Sequence, residues 1–171
     1  MANDDTPHGF VPFGPLLRTR PYHHDASDAA IFIGDVVDME SDGYISAAGA
    51  TSVVKVGASL TYHVTSVLTT NISPILVADH PSQLFEAQDD GASTPSQTIV
   101  GSICDHIAGS GSTTTLMSGH EIGLGSISQT DGGFKILEAV RRPDNDLTAV
   151  NADWVVALNV GEGLLTVAAG I

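Results

Sequence analysis

The chain is poor in several residues that commonly signal a function. Cys104 is its single cysteine among 171 residues, which excludes an intramolecular disulfide. A lone thiol is better read as a small buried hydrophobe than as a nucleophile. Six Lys plus Arg stand against twenty Asp plus Glu, a net charge of −14. No basic stripe exists for phosphates, so no nucleic-acid partner is expected. An acidic surface is likewise repelled by anionic membranes. The longest apolar runs fall far short of the roughly 20 residues a membrane span requires, so no membrane partner is expected either. Aromatic residues make up 5%, too few for the ring platforms of a sugar-binding module. Charged residues reach only 15%, so much of the surface must be Ser, Thr, Gly, Asn and small apolar side chains, as in β proteins that pack against neighbours.

Chemical motifs are missing as well. Gly125-Ser126-Ile127-Ser128 does not form a Gly-x-Ser-x-Gly nucleophile elbow, and neither a GxxxxGK[ST] loop nor a GxGxxG fingerprint is present. Asp38-Met39-Glu40-Ser41-Asp42-Gly43 starts like a calcium loop, but its twelfth position is Gly49, not a bidentate Glu. A polar hairpin turn explains the same residues. His23 and His24 are adjacent, so on an extended chain they point to opposite faces. Neither His120-Glu121 nor Cys104-Asp105-His106 has zinc spacing. No metal or cofactor is expected. An enzyme built on His63, His106 or His120 stands as a rival that a histidine beside a carboxylate in a deep pocket would favour. Arg141 and Arg142 have Asp144 and Asp146 nearby, which favours a structural ion pair or an acidic partner over an anion clamp.

What the chain does contain is a series of β signals. Ala30 to Met39, Tyr44 to Ala47, Ser52 to Val56, Leu60 to Leu68, Ile75 to Ala78 and Leu84 to Gln88 are strand candidates, spaced by turn residues. Two more, Phe134 to Val140 and Ala152 to Asn159, flank a polar loop with Pro143, Asp144 and Asn145. Trp154 in the last of these reads as core. Between Thr94 and Ala108 the spacing of Ile99, Val100, Ile103 and Ile107 allows a short helix or a strand. The pattern predicts one all-β domain, a sandwich or barrel, with at most one short helix. Residues 1–24 hold Pro7, Pro12, Pro15 and Pro21 with Phe10, Phe13, Leu16 and Leu17 among them. They predict an extended arm on another surface, the plainer reading being a disordered terminus. Residues 25–160 would form the body and 161–171 an apolar tail. Residues 1–9 are acidic and polar, unlike a signal peptide, so synthesis in the cytoplasm is expected.

Several segments, in order, resemble the small decoration (cement) proteins of tailed-bacteriophage capsids. They are His8-Gly9-Phe10 to Pro15 with Arg18 to Tyr22, Ala26-Ser27-Asp28 leading to Ile33-Gly34-Asp35-Val36-Val37, Ile75 to Asp79, Gln83 to Gln88, and Phe134 to Leu137 through Arg142-Pro143-Asp144-Asn145 to Trp154-Val155-Val156. Residues 43–73 and 94–130 depart from the pattern. The resemblance implies a β-rich virion protein, commonly trimeric, on the outer capsid surface, with the major capsid protein and its own copies as partners. On that reading the terminal segments make the contacts, through Phe10, Phe13, Leu16, Leu17, Arg18, Arg20, Tyr22, Arg141, Arg142, Leu164, Leu165 and Ile171. Another virion part, such as a tail tube, head–tail adaptor or fibre base, is the nearest alternative.

Overall fold

The computed structural model describes residues 3–24, 28–50, 52, 54–64, 74–128 and 132–159. Among them, twelve strands form two five-stranded antiparallel sheets and a two-stranded ribbon. The first sheet runs, in spatial order, β1 (Val11–Phe13), β7 (Leu84–Gln88), β12 (Asp153–Leu158), β11 (Phe134–Ala139) and β8 (Ile103–Cys104). The second runs β2 (Thr19–Tyr22), β6 (Ile75–Ala78), β5 (Lys55–Ser59), β3 (Val36–Met39) and β4 (Ile45–Ala47). The ribbon pairs β10 (Glu121–Ile122) with β9 (His106–Ile107). The fold is all-β, as the strand spacing predicts.

Alternation builds the main core. Phe85 and Ala87 on β7, Trp154 and Val156 on β12, and Ile136 on β11 point to one side and are buried. Val36, Ala58 and Ala78 of the second sheet join the same cluster. Val37, Val56, Ile75 and Val77 fill a smaller cluster with Ile31 and Ile45. A bulge lets neighbouring β5 residues serve both clusters. Val37 faces Gly57 but Asp38 faces Lys55, so Val56 is the extra residue. Gly57 is required there, because a Cβ would stand 2.0 Å from the Ala78 carbonyl oxygen.

The β11–β12 connection is held by side chains that replace ladder bonds. Asn145 donates to the carbonyls of Val140 (2.8 Å) and Asp153 (2.9 Å) and accepts from the Asp153 amide (2.9 Å). Buried Asp89 accepts from the amides of Gly91, Asn151 and Ala152 and from the Trp154 indole at 3.3 Å. These bonds satisfy a carboxylate that burial would otherwise penalise.

Several expectations change. Residues 3–24 are not an arm on another surface. β1 pairs with β7, β2 pairs with β6, and Phe10 is fully buried, stacked on Phe134 at a centroid distance of 4.4 Å. Prolines forbid a helix but not an edge strand, and β1 and β2 are both edges. Phe10 is therefore core, not a contact residue. The stretch around Ile99 gives a 3₁₀ turn at Gln97–Ile99, then β8 and β9. Gly101, at φ +92°, turns the chain out of any helical path. Ala30 to Met39 forms a strand only from Val36; Ile31 and Ile33 make single bridges, to His63 and Met117. Residues 60–64 bend around the His63 bridge, and the rest of that predicted strand lies outside the described residues.

Truncating Phe10 to Ala should cost about 3–5 kcal/mol of stability, the usual range for a buried Phe. A guanidinium melt of F10A that matched the wild type would show that the stack contributes little.

Candidate functional site

Two connections change sheets at one corner. Residues 14–18 carry the chain from β1 to β2, and residues 79–83 carry it from β6 to β7. Because β1 lies on β7 and β2 on β6, the two connections run side by side. Two buried polar side chains tie them. The Leu17 amide donates to Gln83 Oε1 (2.9 Å), while Gln83 Nε2 donates to the carbonyls of Leu84 (2.9 Å) and Pro15 (3.4 Å). Arg18 donates through Nε to Asp79 Oδ1 (2.7 Å) and through Nη2 to the Asp79 carbonyl (2.8 Å). Arg20 Nε stands 3.0 Å from Asp79 Oδ2, and the Tyr22 hydroxyl donates to the same oxygen at 2.7 Å. Burial first, and then the Asp79 bond and charge, push the Tyr22 phenol up to about 12.

This corner gathers six of the predicted contact residues: Phe13, Leu16, Leu17, Arg18, Arg20 and Tyr22. Leu16 and Leu17 are 50% and 47% exposed. Phe13, Pro15, Leu17 and Leu84 line an open apolar groove of about 320 Å³. Asp79 and Gln83, which hold the corner together, are not among the predicted contact residues; in the sequence they stand only at the ends of two of the segments that carry the resemblance.

The other predicted contact residues lie elsewhere. Arg141 is exposed. Arg142 bonds Glu86 and Asp153, and its Nε lies 3.2 Å from Asp144, so it is committed to ion pairs of its own chain. Leu164, Leu165 and Ile171 lie outside the described residues.

The histidine rival meets a mixed outcome. His106 and His120 come together with ring centroids 5.3 Å apart. His120 borders an open cleft of about 330 Å³ together with Asp35, and its Nε2 lies 3.6 Å from Asp35 Oδ1. His120 Nδ1 accepts the Val36 amide at 3.2 Å, so in the neutral ring the proton sits on Nε2, facing Asp35. His106 Nε2 lies 2.9 Å from the Ala48 carbonyl, which can only accept, so this nitrogen too carries a proton. Burial lowers both imidazoles to about 4 and raises the Asp35 carboxyl. His120 thus spends its basic nitrogen on the backbone, and the two neutral imidazoles act as an internal brace. His63 pairs with Ile31 instead. The calcium-like turn is also internally satisfied: Asp38 accepts the hydroxyls of Ser46 (2.8 Å) and Ser52 (2.6 Å).

Changing Asp79 to Asn should lower the Tyr22 pKa from about 12, keeping it above the ordinary 10 because burial persists. Ultraviolet titration of the phenolate checks this, and an unmoved value would dissociate Tyr22 from Asp79. In the unfolded chain His106 and His120 protonate near pH 6.5. Below that pH the unfolded state binds more protons, so each histidine withdraws up to about 1.4 kcal/mol per pH unit as pH falls toward 4. Glu121, raised to about 7 chiefly by burial, acts in the opposite sense between its ordinary value and 7. The histidine share is isolated by NMR: both ring signals should stay in the neutral form from pH 8 to about pH 5, and titration near 6.5 would overturn the brace. Comparison of the chain with protein-family models, curated proteins and solved structures finds no match.

Proposed function

We propose that this chain is a structural virion protein that binds the outer surface of a bacteriophage capsid and bridges neighbouring major capsid subunits, acting as a homotrimer. The ordered segments that resemble decoration proteins support the reading. The observation that carries it is the pair of leucines at the corner, half exposed on a backbone already tied to Gln83 and Asp79. An apolar surface held in place binds without the cost of ordering a loop. Full burial of an exposed leucine contributes about 1.5–3 kcal/mol, so two leucines that are already half buried add roughly that much together.

Charge favours the same corner. In a chain of net charge −14, Arg18 and Arg20 share the single Asp79 carboxylate, which leaves a local positive spot beside the leucines. That spot suits an acidic, partly apolar patch on the shell. Many such contacts over a capsid act together through avidity, and no chemistry is needed.

Copy number in purified virions, by quantitative mass spectrometry, tests the reading. A simple lattice fraction of the major capsid protein, amounting to hundreds of copies, is expected. A dozen copies or fewer would move the protein to the tail or connector, and absence would refute the proposal. The corner is tested separately by co-sedimentation with capsids: Leu16→Ser with Leu17→Ser should weaken attachment at least tenfold and leave the melting temperature nearly unchanged, as for exposed substitutions. Undiminished attachment would place the contact elsewhere.

A further inference from the structure

The outer face of the first sheet carries a second cluster, away from the corner. Asp153 and Val155 on β12 and Glu86 on β7 point away from the Trp154–Phe85 core, and Val155 lies directly opposite Glu86. The first residues of the chain reach this end of the sheet. Gln88 accepts the Thr6 amide (3.0 Å) and donates to the Asp4 carbonyl (3.1 Å), which brings His8 beside the two carboxylates. Ligand atoms of His8, Glu86 and Asp153 all lie within 4.8 Å of one another.

Arg142 satisfies only part of this cluster. Its Nη1 donates to Glu86 Oε1 and its Nη2 to Asp153 Oδ2. The Asp153 side chain is only 8% exposed, yet its other oxygen, Oδ1, has no hydrogen-bond partner. A buried carboxylate oxygen without a donor is costly. With Asp144 at 3.2 Å from Arg142 Nε, three carboxylates face one guanidinium, so the site keeps an excess of negative charge.

We propose that His8, Glu86 and Asp153 form a binding site for a divalent transition cation of the zinc class. One imidazole nitrogen with two carboxylates is a borderline donor set, which suits zinc and its neighbours better than calcium or magnesium, whose sites are built from oxygen. The unpartnered Asp153 Oδ1 supplies the buried ligand. Arg142 occupies the other carboxylate oxygens, so its cation competes with a bound ion for the same negative charge. Three protein ligands leave a fourth position for water. The three ligands come from the leading segment, β7 and β12, so a bound ion would fasten residues 3–8 to the sheet.

The test uses the full chain stripped with EDTA and titrated with zinc chloride in a calorimeter, with cobalt(II) absorption as a second reading of the site. One equivalent should bind with micromolar affinity and raise the melting temperature. His8→Ala changes a half-buried side chain and should weaken binding by about tenfold or more, the usual scale for a lost ligand or its support. Arg142→Met removes the competing cation and should tighten binding several-fold in a variant whose circular dichroism is unchanged. No heat and no cobalt spectrum in the wild type would overturn the site. Wild-type affinity in H8A, or weaker binding in a folded R142M, would overturn it equally by assigning any ion to other residues.

Discussion

The alignment of β1 on β7 and of β2 on β6 depends on the corner at Asp79 and Gln83. Two separate stretches of chain switch sheets there, and a slip of either would misalign β1 with β7 or β2 with β6. A buried carboxylate is an expensive fastener unless its charge is matched. Asp79 is matched by two guanidinium groups and a phenol, and its own carbonyl takes a further bond from Arg18. The corner is therefore polar inside, and outside it presents two leucines beside part-exposed arginines. The same bonds that lock the sheets also fix Leu16 and Leu17 in their exposed positions.

The acidity of the chain acquires a different meaning once these bonds are known. Part of the negative charge belongs to internal fasteners rather than to a solvated skin. Asp89 gathers three amides and an indole, Asp38 gathers two serine hydroxyls, and Asp79 gathers the two arginines. Of these, Asp79 and Asp89 are buried and Asp38 is half-buried, so a misplaced strand would leave the two buried carboxyls without their partners in apolar surroundings. His106 and His120 complete the pattern by remaining neutral in the interior, where an imidazolium would be penalised.

Local patterning made the central strands legible. Ile75 to Ala78 and Leu84 to Gln88 occupy β6 and β7 with the expected limits, and β11 and β12 differ from expectation by one residue at their ends. Strand β5 is displaced toward Ser59 because its bulge depends on β3, a partner that nothing near Lys55 reveals. The leading segment was correctly extended, but composition cannot say which surface an extended chain will cover, and Phe10 found its own core. Around Ile99 the pattern suits a short helix and a strand equally; the structure has a 3₁₀ turn and two short strands, with Gly101 at φ +92° between the turn and β8. The corner was half legible. Its exposed leucines and arginines stand out in the sequence, whereas Asp79 and Gln83 gain their roles only when residues more than sixty positions apart are brought together. His8, Glu86 and Asp153 were invisible for the same reason.

The first sheet has two unlike ends. Residues 14–17 and 82–83 leave it beside Leu84 and Ala157, while Asn3 is bonded to Asp146 and the Val150 carbonyl, near Gln88 and Asp153 at the other end. Any domain joined ahead of Asn3 would therefore emerge across the length of the strands from the two leucines. A molecule seated by that corner would carry such cargo on its far side, facing outward. If the corner seats the molecule as proposed, this polarity would let a foreign protein fused ahead of Asn3 be displayed on the far side.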